Sequence, residues 1–241
     1  MVEENSRFRS LEDLNRAVTR CELCSRLARY RRVVANTKRK QFIEWSYWGK
    51  PLPGFGDSTG RLLILGLAPA AHGGNRTGRM FTGDGSAQFL MAELHKFGFA
   101  NQPTSVSTHD GLQLQDAYMT AIVRCPPPKN KPTPKEIQTC KQYWTEEIRY
   151  LPNIRVVLAL GQIAFDAYVR FLRERGVDTR GFSFRHGAVY KAQSLPTLVA
   201  SYHPSRQNTQ TGKLTKVMFD SVLRNIQRVL RNGPRPTRST G

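Results

Sequence analysis

The feature that most constrains the fold is a regular alternation of short apolar runs with helical patterns. Four runs are almost entirely apolar, which is typical of strands buried on both faces of a parallel sheet. They are Leu62–Leu67, Ala117–Val123, Arg155–Leu160 and Pro196–Ser201. Strands that alternate with helices predict an open, mostly parallel sheet with helices on both faces. Right-handed connections then bring the carboxyl ends of the strands to one edge, where ligands bind in such sheets.

The segments around these strands have apolar residues at helical spacing. Ser10 precedes the first helix, and Thr133 with Glu136 forms a capping box before another. The periodic positions are Leu11, Leu14 and Val18; Ala87, Leu90, Met91 and Leu94; Ile137, Cys140, Trp144 and Ile148; Ile163, Ala164, Ala167, Tyr168, Phe171 and Leu172; and Leu214, Val217, Met218, Val222, Ile226 and Val229. Residues 45–60 are rich in Gly, Pro and aromatic side chains and predict a loop.

The charge of the chain points to a polyanionic partner. Its 241 residues contain 37 Lys and Arg against 18 Asp and Glu, a formal charge of +19. Neutralising phosphates with such cations releases counterions, so nucleic acid is favoured over a bare solubility role. No apolar run reaches the ~20 residues needed to cross a bilayer, and the first residues lack a secretion signal. We therefore expect a soluble cytoplasmic domain over residues 1–230, and a basic, disordered tail over 231–241.

The four cysteines form a possible metal site. Cys21 and Cys24 make a C-x-x-C pair, and Cys125 and Cys140 are separated by fourteen residues. Disulfides are disfavoured in a cytoplasmic protein. Four thiolates suit either Zn²⁺ or a 4Fe–4S cluster, and four unrelated buried thiols are the plain alternative. The wide spacing of the second pair, unlike the second C-x-x-C of a zinc ribbon, favours the cluster.

Two loops follow strands at the edge where a ligand is expected. The first, residues 66–85, is rich in glycine, which permits tight turns and close approach of backbone N–H groups to a ligand. Phe81 stands in it among small and polar residues, and Asp84 precedes a helix, where a carboxylate can also act only as a cap. The second loop places His203 just after the last strand. A lone His of this kind is more often structural, but its position at the functional edge beside the glycine-rich loop leaves a catalytic role equally open.

Three sequence motifs resemble those of the uracil-DNA glycosylase superfamily. They are Gly66–Ala70 with Gly78–Asp84; Val123–Thr133; and His203–Ser205 with Gln207–Thr209 and Thr211–Thr215. The chain looks most like the iron–sulfur branches, family 4 and especially family 5. The match extends from about Cys21 to Val229.

The resemblance implies a three-layer α/β/α sandwich with a central four-stranded parallel sheet in a single glycosylase-like domain. It implies a structural 4Fe–4S cluster held by Cys21, Cys24, Cys125 and Cys140. It also implies a monofunctional reaction in base excision repair, in which the target base is flipped out and its N-glycosidic bond is hydrolysed to leave an abasic site. The expected partner is DNA containing uracil or other deaminated bases, bound by a monomer that associates with the nucleoid.

The same resemblance assigns roles to residues at the functional edge. His203 donates a hydrogen bond to the leaving base, and Asp84 is the first candidate to handle the water, with Asn130 the second. The base-binding candidates are Ala68, Pro69, Ala70 and Phe81, the last of which stacks on the base. The candidates for phosphate contact or for the wedge that fills the vacated stack are Ser205, Arg206, Gln207, Lys213 and Leu214.

The chain departs from several relatives at two places. Family 4 has Glu at the position of Leu67, and other families have Asp or Asn at that of Ala68, where these residues handle the water. An Asn on the second strand reads the edge of uracil in many relatives, and residues 119–122 contain none. We therefore expect weaker discrimination between bases, with hydroxymethyluracil, hypoxanthine or xanthine accepted beside uracil.

Other classes of protein explain less of the sequence. A non-catalytic nucleic-acid-binding protein with a structural zinc accounts for the charge and the cysteines, but not for the glycine-rich loop, Phe81 and His203. A metal-dependent nuclease requires clustered carboxylates, and the 18 acidic residues are scattered. An electron carrier has no need of so basic a surface.

Overall fold

The computed structural model of the chain describes residues 7–191 and 195–232. The strands are β1 (Phe55–Gly56), β2 (Leu62–Gly66), β3 (Ala117–Ala121), β4 (Val156–Leu160), β5 (Val189–Tyr190) and β6 (Thr197–Ser201). The helices are α1 (Leu11–Thr19), α2 (Ser25–Thr37), α3 (Gly74–Thr77), α4 (Gly85–Lys96), α5 (Pro134–Arg149), α6 (Gln162–Arg173), α7 (Arg206–Gln210) and α8 (Lys216–Asn232).

The described strands form one sheet in the order β1-β3-β2-β4-β6-β5. The inner strands β3, β2, β4 and β6 are parallel, and they are the four strands predicted from the apolar runs. Two short strands, β1 and β5, pair antiparallel with β3 and β6 at the two edges. The expected four-stranded parallel sheet is therefore the core of a mixed sheet, and the predicted loop over 45–60 contains β1.

Successive residues of the parallel strands point to opposite faces of the sheet. All residues of these strands are buried, so both faces are covered. Leu63 and Leu65 of β2 belong to a core shared with α1, α2, α5 and α6. Leu62 and Ile64 belong to a second core shared with α4 and α8. These four side chains are fully buried, and each contributes roughly 1.5–3 kcal/mol by leaving water. The protein is a three-layer α/β/α sandwich, as expected.

The predicted helix starts lie where the sequence puts them. Ser10 Oγ accepts a hydrogen bond of 3.1 Å from the backbone N–H of Asp13 at the start of α1. Thr133 and Glu136 bond reciprocally in the capping box of α5, at 3.3 and 2.7 Å. Helix α2 was not predicted, because it is rich in arginine and buries one of them, Arg31, almost completely.

The carboxyl-terminal helix is longer than the sequence indicated. Helix α8 extends to Asn232, two residues into the predicted tail, and residues 233–241 lie outside the described part of the chain. Across the ranges 7–191 and 195–232, no helix combines the length and the apolar character needed to cross a membrane. The carboxyl ends of β2, β3 and β6 lie at one edge of the sheet, and the loops that follow them form the candidate site.

Candidate active site

The loops after β2, β3 and β6 enclose a cavity of about 190 Å³. Pockets for drug-sized ligands start at about 300 Å³, so this cavity suits a smaller group such as one planar ring. It brings together all the catalytic and base-binding residues predicted from the sequence, together with Ser205. The described lining residues are Leu67, Ala68, Pro69, Ala70, Met80, Phe81, Asp84, Ser86, Ala121, Asn130, His203 and Ser205.

Phe81 forms a flat wall of the cavity. Its φ of 46° lies in the left-handed region, which is costly for an aromatic residue and is found mostly at functional sites. Gly66 makes room for the ring, since a Cβ at that position would lie 2.8 Å from Cζ of Phe81. The ring is inclined by 29° to the ring of His203, with 6.3 Å between centroids. A planar ligand in the cavity therefore has an aromatic face to stack on.

Asp84 is both a helix cap and a wall of the cavity. Its Oδ1 accepts a hydrogen bond of 2.9 Å from the backbone N–H of Ala87, the N-cap bond of α4. Burial raises the pKa of Asp84, against the opposing effects of the backbone N–H groups of Ala87 and Ser86 and of the charge of Arg76. The side chain thus caps α4 and faces the cavity at the same time, so capping does not exclude a chemical role.

His203 is held as a neutral hydrogen-bond donor. Burial lowers the pKa of its imidazole to about 4, so the ring carries no charge near pH 7. Its backbone oxygen accepts hydrogen bonds of 2.8 Å from the side-chain amide of Asn208 and from the backbone N–H of Ser205. A neutral imidazole still carries one N–H, which it can donate to a group that gains negative charge.

Asn130 lies at the mouth of the cavity rather than inside it. It ends the short 3-10 turn Pro128–Asn130, and both Lys129 and Asn130 have a positive φ, of 54° and 55°. Both side chains are exposed. The structure therefore brings Asn130 to the same cavity as Asp84, but in a more solvated position.

The predicted DNA-contact residues divide into two groups. Ser205 caps α7 and lines the cavity, while Arg206, Gln207 and Lys213 are exposed beside it. Leu214 is 1% exposed and packs in the core with α4 and α8. The expectation that Leu214 contacts DNA is therefore corrected, since its apolar side chain completes the core.

The four cysteines converge on one side of the sheet as free thiols. Cys21 and Cys24 lie between α1 and α2, Cys125 follows β3, and Cys140 lies on α5. Beyond the effect of burial, which is the largest, the charges of the other three raise the pKa of the Cys125 thiol. The backbone N–H of Arg124 also donates to Sγ of Cys140 at 3.3 Å. The thiols thus lie within electrostatic reach of one another.

The chemistry of these four side chains is that of a metal site. In the described ranges, no group of three or more His, Cys, Asp or Glu residues is arranged to hold a single metal ion. Four thiolates are a donor set used both by structural zinc and by 4Fe–4S clusters. The residues present therefore fit either group.

Comparison with known proteins decides the family. A family model described as the uracil DNA glycosylase superfamily matches residues 53–227, which include every residue of the cavity. The chain belongs to the uracil DNA glycosylase superfamily. The type-5 uracil-DNA glycosylase of Thermus thermophilus is 50% identical over 213 residues, which are 88% of this chain and 94% of that protein. The type-5 uracil-DNA glycosylase of Mycobacterium tuberculosis is 44% identical over 221 residues, 91% of this chain and 82% of that protein.

Similarity to type-4 uracil-DNA glycosylases is weaker. The type-4 uracil-DNA glycosylase of Pyrobaculum aerophilum is 28% identical over 163 residues, 66% of this chain and 74% of that protein. The resemblance inferred from the motifs, closest to family 5, is therefore confirmed. Leu67 and Ala68 line the cavity with apolar side chains. Asp84 is the one carboxylate among the described lining residues.

The sequence analysis did not predict the side chains that hold the glycine-rich loop in place. Buried Arg79 pairs with half-buried Asp110 at 2.7 Å and also donates to Thr82 and Ser105. A neighbouring arginine, Arg76, is buried too. The basic composition predicts arginines at the surface, where they contact phosphates, whereas these two arginines are buried. Their position within a loop rich in glycine was the available signal, because such a loop has few other side chains to fix it.

Proposed function

We propose that this protein is a monofunctional uracil-DNA glycosylase that hydrolyses the N-glycosidic bond of a flipped-out base and leaves an abasic site. The observation that carries the proposal is the cavity of about 190 Å³, in which Phe81, Asp84 and His203 meet. The type-5 relatives support the substrate, because they are named as uracil-DNA glycosylases. The protein acts as a cytoplasmic monomer that associates with the nucleoid by binding DNA.

The base pocket selects by shape and stacking. The flipped base lies against Phe81, and the loop Ala68–Ala70 turns its backbone toward the edge of the base. Stacking of a base on an aromatic ring is worth about 1–3 kcal/mol. Gly66 is part of this pocket because it lets the Phe81 ring approach β2.

Replacing Gly66 by Ala is expected to displace the Phe81 ring and to weaken binding of the flipped base about tenfold, through partial loss of stacking. The affinity of the protein for a duplex that carries 2′-fluoro-deoxyuridine measures this, because the fluorine slows glycosidic cleavage and keeps the base attached. Gly98→Ala is the control: an added Cβ there has no neighbour within 4 Å, so any loss from the positive φ of Gly98 acts on the backbone alone. Equal affinities of the two variants would contradict the placement of Phe81.

The reaction develops positive charge on the sugar and negative charge on the base, and the site must stabilise both. As the bond between C1′ and the base nitrogen breaks, the sugar becomes oxocarbenium-like and the electron pair moves onto the base. Neutral His203 donates its N–H to the base oxygen that gains negative charge. Asp84, in its ionised form, orients the water that attacks C1′ and accepts its proton. The anionic carboxylate also lies near the developing positive charge of the sugar.

Replacing His203 by Ala is expected to lower the single-turnover rate of excision about 10²- to 10³-fold, the usual cost of losing one such donor. Binding of the 2′-fluoro duplex is expected to change much less. His109, exposed in a loop away from the cavity, provides the control His109→Ala. A loss confined to binding would show that His203 does not act on the leaving base.

Specificity is expected to be broad because the pocket has few groups that read a base edge. Ala121, at the end of β3, presents only a methyl group to the cavity. A site without a polar reader rejects analogues weakly, whereas a built hydrogen-bond pattern rejects them strongly. We therefore propose that hypoxanthine, xanthine and hydroxymethyluracil are removed beside uracil. Activity on uracil alone, across a panel of duplexes with one altered base each, would overturn this part of the proposal.

Contacts with the DNA backbone come from the segment beside the pocket. Ser205 and Arg206 bind phosphates, and the segment 207–213 includes the wedge that fills the vacated stack. Arg206 lies against the start of α4, where a Cβ on Gly85 would approach its Cγ to 2.8 Å. The net charge of +19 supplies the salt-dependent part of the affinity.

A 4Fe–4S cluster is the group proposed for Cys21, Cys24, Cys125 and Cys140. When bound, it supplies a structural cross-link rather than a chemical step. The cross-link joins the segment between α1 and α2 to the loop after β3 and to α5. Because the loop after β3 continues to Asn130, the cysteine site also fixes one side of the pocket mouth.

The proposal is tested by the identity of the products. Purified protein is incubated with an end-labelled duplex that contains a single uracil, and the solution is analysed for free base. The proposal predicts free uracil, and strand cleavage at that position only after alkali. Strand cleavage without alkali would indicate a lyase or nuclease, and the absence of free base would indicate a protein that only binds DNA.

A further inference from the structure

A second cavity, of about 420 Å³, adjoins the base pocket at Asp84. Asp84 is the one described residue that lines both cavities. Trp45 and Val106 on its rim are 36% and 56% exposed, so the cavity opens to solvent away from the base pocket. The described lining residues are Phe42, Trp45, Arg76, Gly83, Asp84, Gln88, Thr104, Ser105 and Val106.

Arg76 is fixed in the wall of this cavity. Its guanidinium carbon lies 4.0 Å from the ring centroids of both Phe42 and Trp45, a double cation–π contact. Its Nε donates to the backbone oxygen of His72 at 2.9 Å, and its Nη2 to that of Gly83 at 2.8 Å. The side chain is therefore rigid, and its position does not depend on solvent.

One donor of this arginine is not used within the described structure. Arg76 is 4% exposed, and its Nη1 is buried with no hydrogen-bond partner there. Leaving a buried donor unsatisfied costs about 1–3 kcal/mol, so this position calls for an acceptor.

The chemistry of the cavity favours water over a base or a phosphate. The guanidinium already covers a ring face of Phe42 and of Trp45, so those faces are closed to a base. A phosphate would lie beside the Asp84 carboxylate and be repelled by it. Water both donates and accepts, which suits a space lined by a cation on one side and a carboxylate on another.

We propose that this second cavity is the route by which the hydrolytic water reaches Asp84, and that Arg76 is the positioning residue that holds this water there. The inference rests on the proposed glycosylase function. When DNA is bound, the flipped base fills the first cavity and the duplex covers its mouth, so water needs another path. The water oxygen then bonds to C1′ as the bond to the base breaks. Its proton passes to Asp84, and the electron pair leaves with the base.

Blocking the rim of the route tests it without touching the base pocket. Val106→Trp is expected to lower the single-turnover rate of uracil excision about tenfold, a part of the ~10²–10⁴ that a positioned base contributes. Affinity for the 2′-fluoro-deoxyuridine duplex is expected to stay unchanged. Val189→Trp, the same change at an exposed valine of the edge strand β5, is the matched control.

Removing the orphaned donor tests the role of Arg76. Arg76→Met keeps an unbranched apolar stem beside the two rings but removes the guanidinium, including its bonds to the backbone of His72 and Gly83, and it is expected to lower the rate about tenfold or more. Affinity for the same duplex then shows whether the loop of the base pocket is kept. In an Asp84→Asn background, neither Val106→Trp nor Arg76→Met should lower the rate further, because all three changes act on one water.

Each outcome either supports or overturns the route. A Val106→Trp enzyme as fast as the wild type, or one slowed only through weaker binding, overturns it. Additive losses in the Asp84→Asn background overturn it as well, since the changes would then act independently. If the wild-type protein itself releases no base, the proposed function fails first, and this result is distinct because every variant then behaves alike.

Discussion

Asp84→Asn is expected to lower the single-turnover rate of uracil excision about 10²- to 10⁴-fold while the protein folds and binds DNA normally. Asn is as good an N-cap as Asp, so the start of α4 is kept and only the negative charge is lost. The exchange therefore separates the two roles that the structure gives this carboxylate. A matched exchange at the cap of α1, Ser10→Asn, controls for the cap itself.

The pH dependence of the same reaction follows from the direction of the pKa shifts. Asp84 acts in its ionised form, and burial raises its pKa above the ordinary value of 3.8. The rate therefore falls as the pH drops through this raised pKa, and the fall is absent in Asp84→Asn. His203, whose pKa burial lowers to about 4, is neutral above that pH, so a loss of rate that begins above it belongs to Asp84. A rate for Asp84→Asn within about threefold of the wild type would contradict a role beyond capping.

Cys140→Ser is expected to abolish iron binding and to destabilise the fold. Cys140 is buried on α5, and a hydroxyl there is a poor ligand for iron and leaves a polar group in the core. Loss of a structural metal group is among the largest single-residue effects, about 4 kcal/mol or more. For a chain of this size it corresponds to a fall in Tm of about 10 °C.

Iron and acid-labile sulfide in anaerobically purified protein, together with thermal unfolding, measure this effect. Thr139→Ser, at the neighbouring half-buried position of the same helix, is the control and is expected to keep both the iron and the Tm. Zinc without iron in the wild type would show that a single ion is bound instead. Unchanged Tm in Cys140→Ser would show that the site does not support the fold.

The sequence predicts best where one physical rule dominates. The four inner strands are apolar on both faces, and burial on both faces is what a parallel core strand requires. The cap at Ser10 and the capping box at Thr133 are local, since they depend on residues three apart. Phe81, Asp84 and His203 meet in one cavity because each follows or ends a loop at the carboxyl edge of the same sheet.

The missed features depend on contacts distant in the chain. The two-residue strands β1 and β5 are too short to have a period, and they exist only because β3 and β6 offer free edges. Leu214 was expected at the DNA surface, yet its burial follows from the way α8 packs on α4. The cation–π contacts of Arg76 are with Phe42 and Trp45, about thirty positions earlier in the chain, and no local sequence pattern links these positions.

The central claim is that the cavity at the carboxyl edge of the sheet releases a base from DNA. The most direct measurement is the single-turnover release of free uracil from a duplex, with wild-type protein and Asp84→Asn compared side by side at equal DNA binding. We expect release by the wild type, a loss of about 10²-fold or more in the variant, and strand breaks only after alkali. No release of uracil, hypoxanthine or xanthine by folded wild-type protein would contradict the central claim.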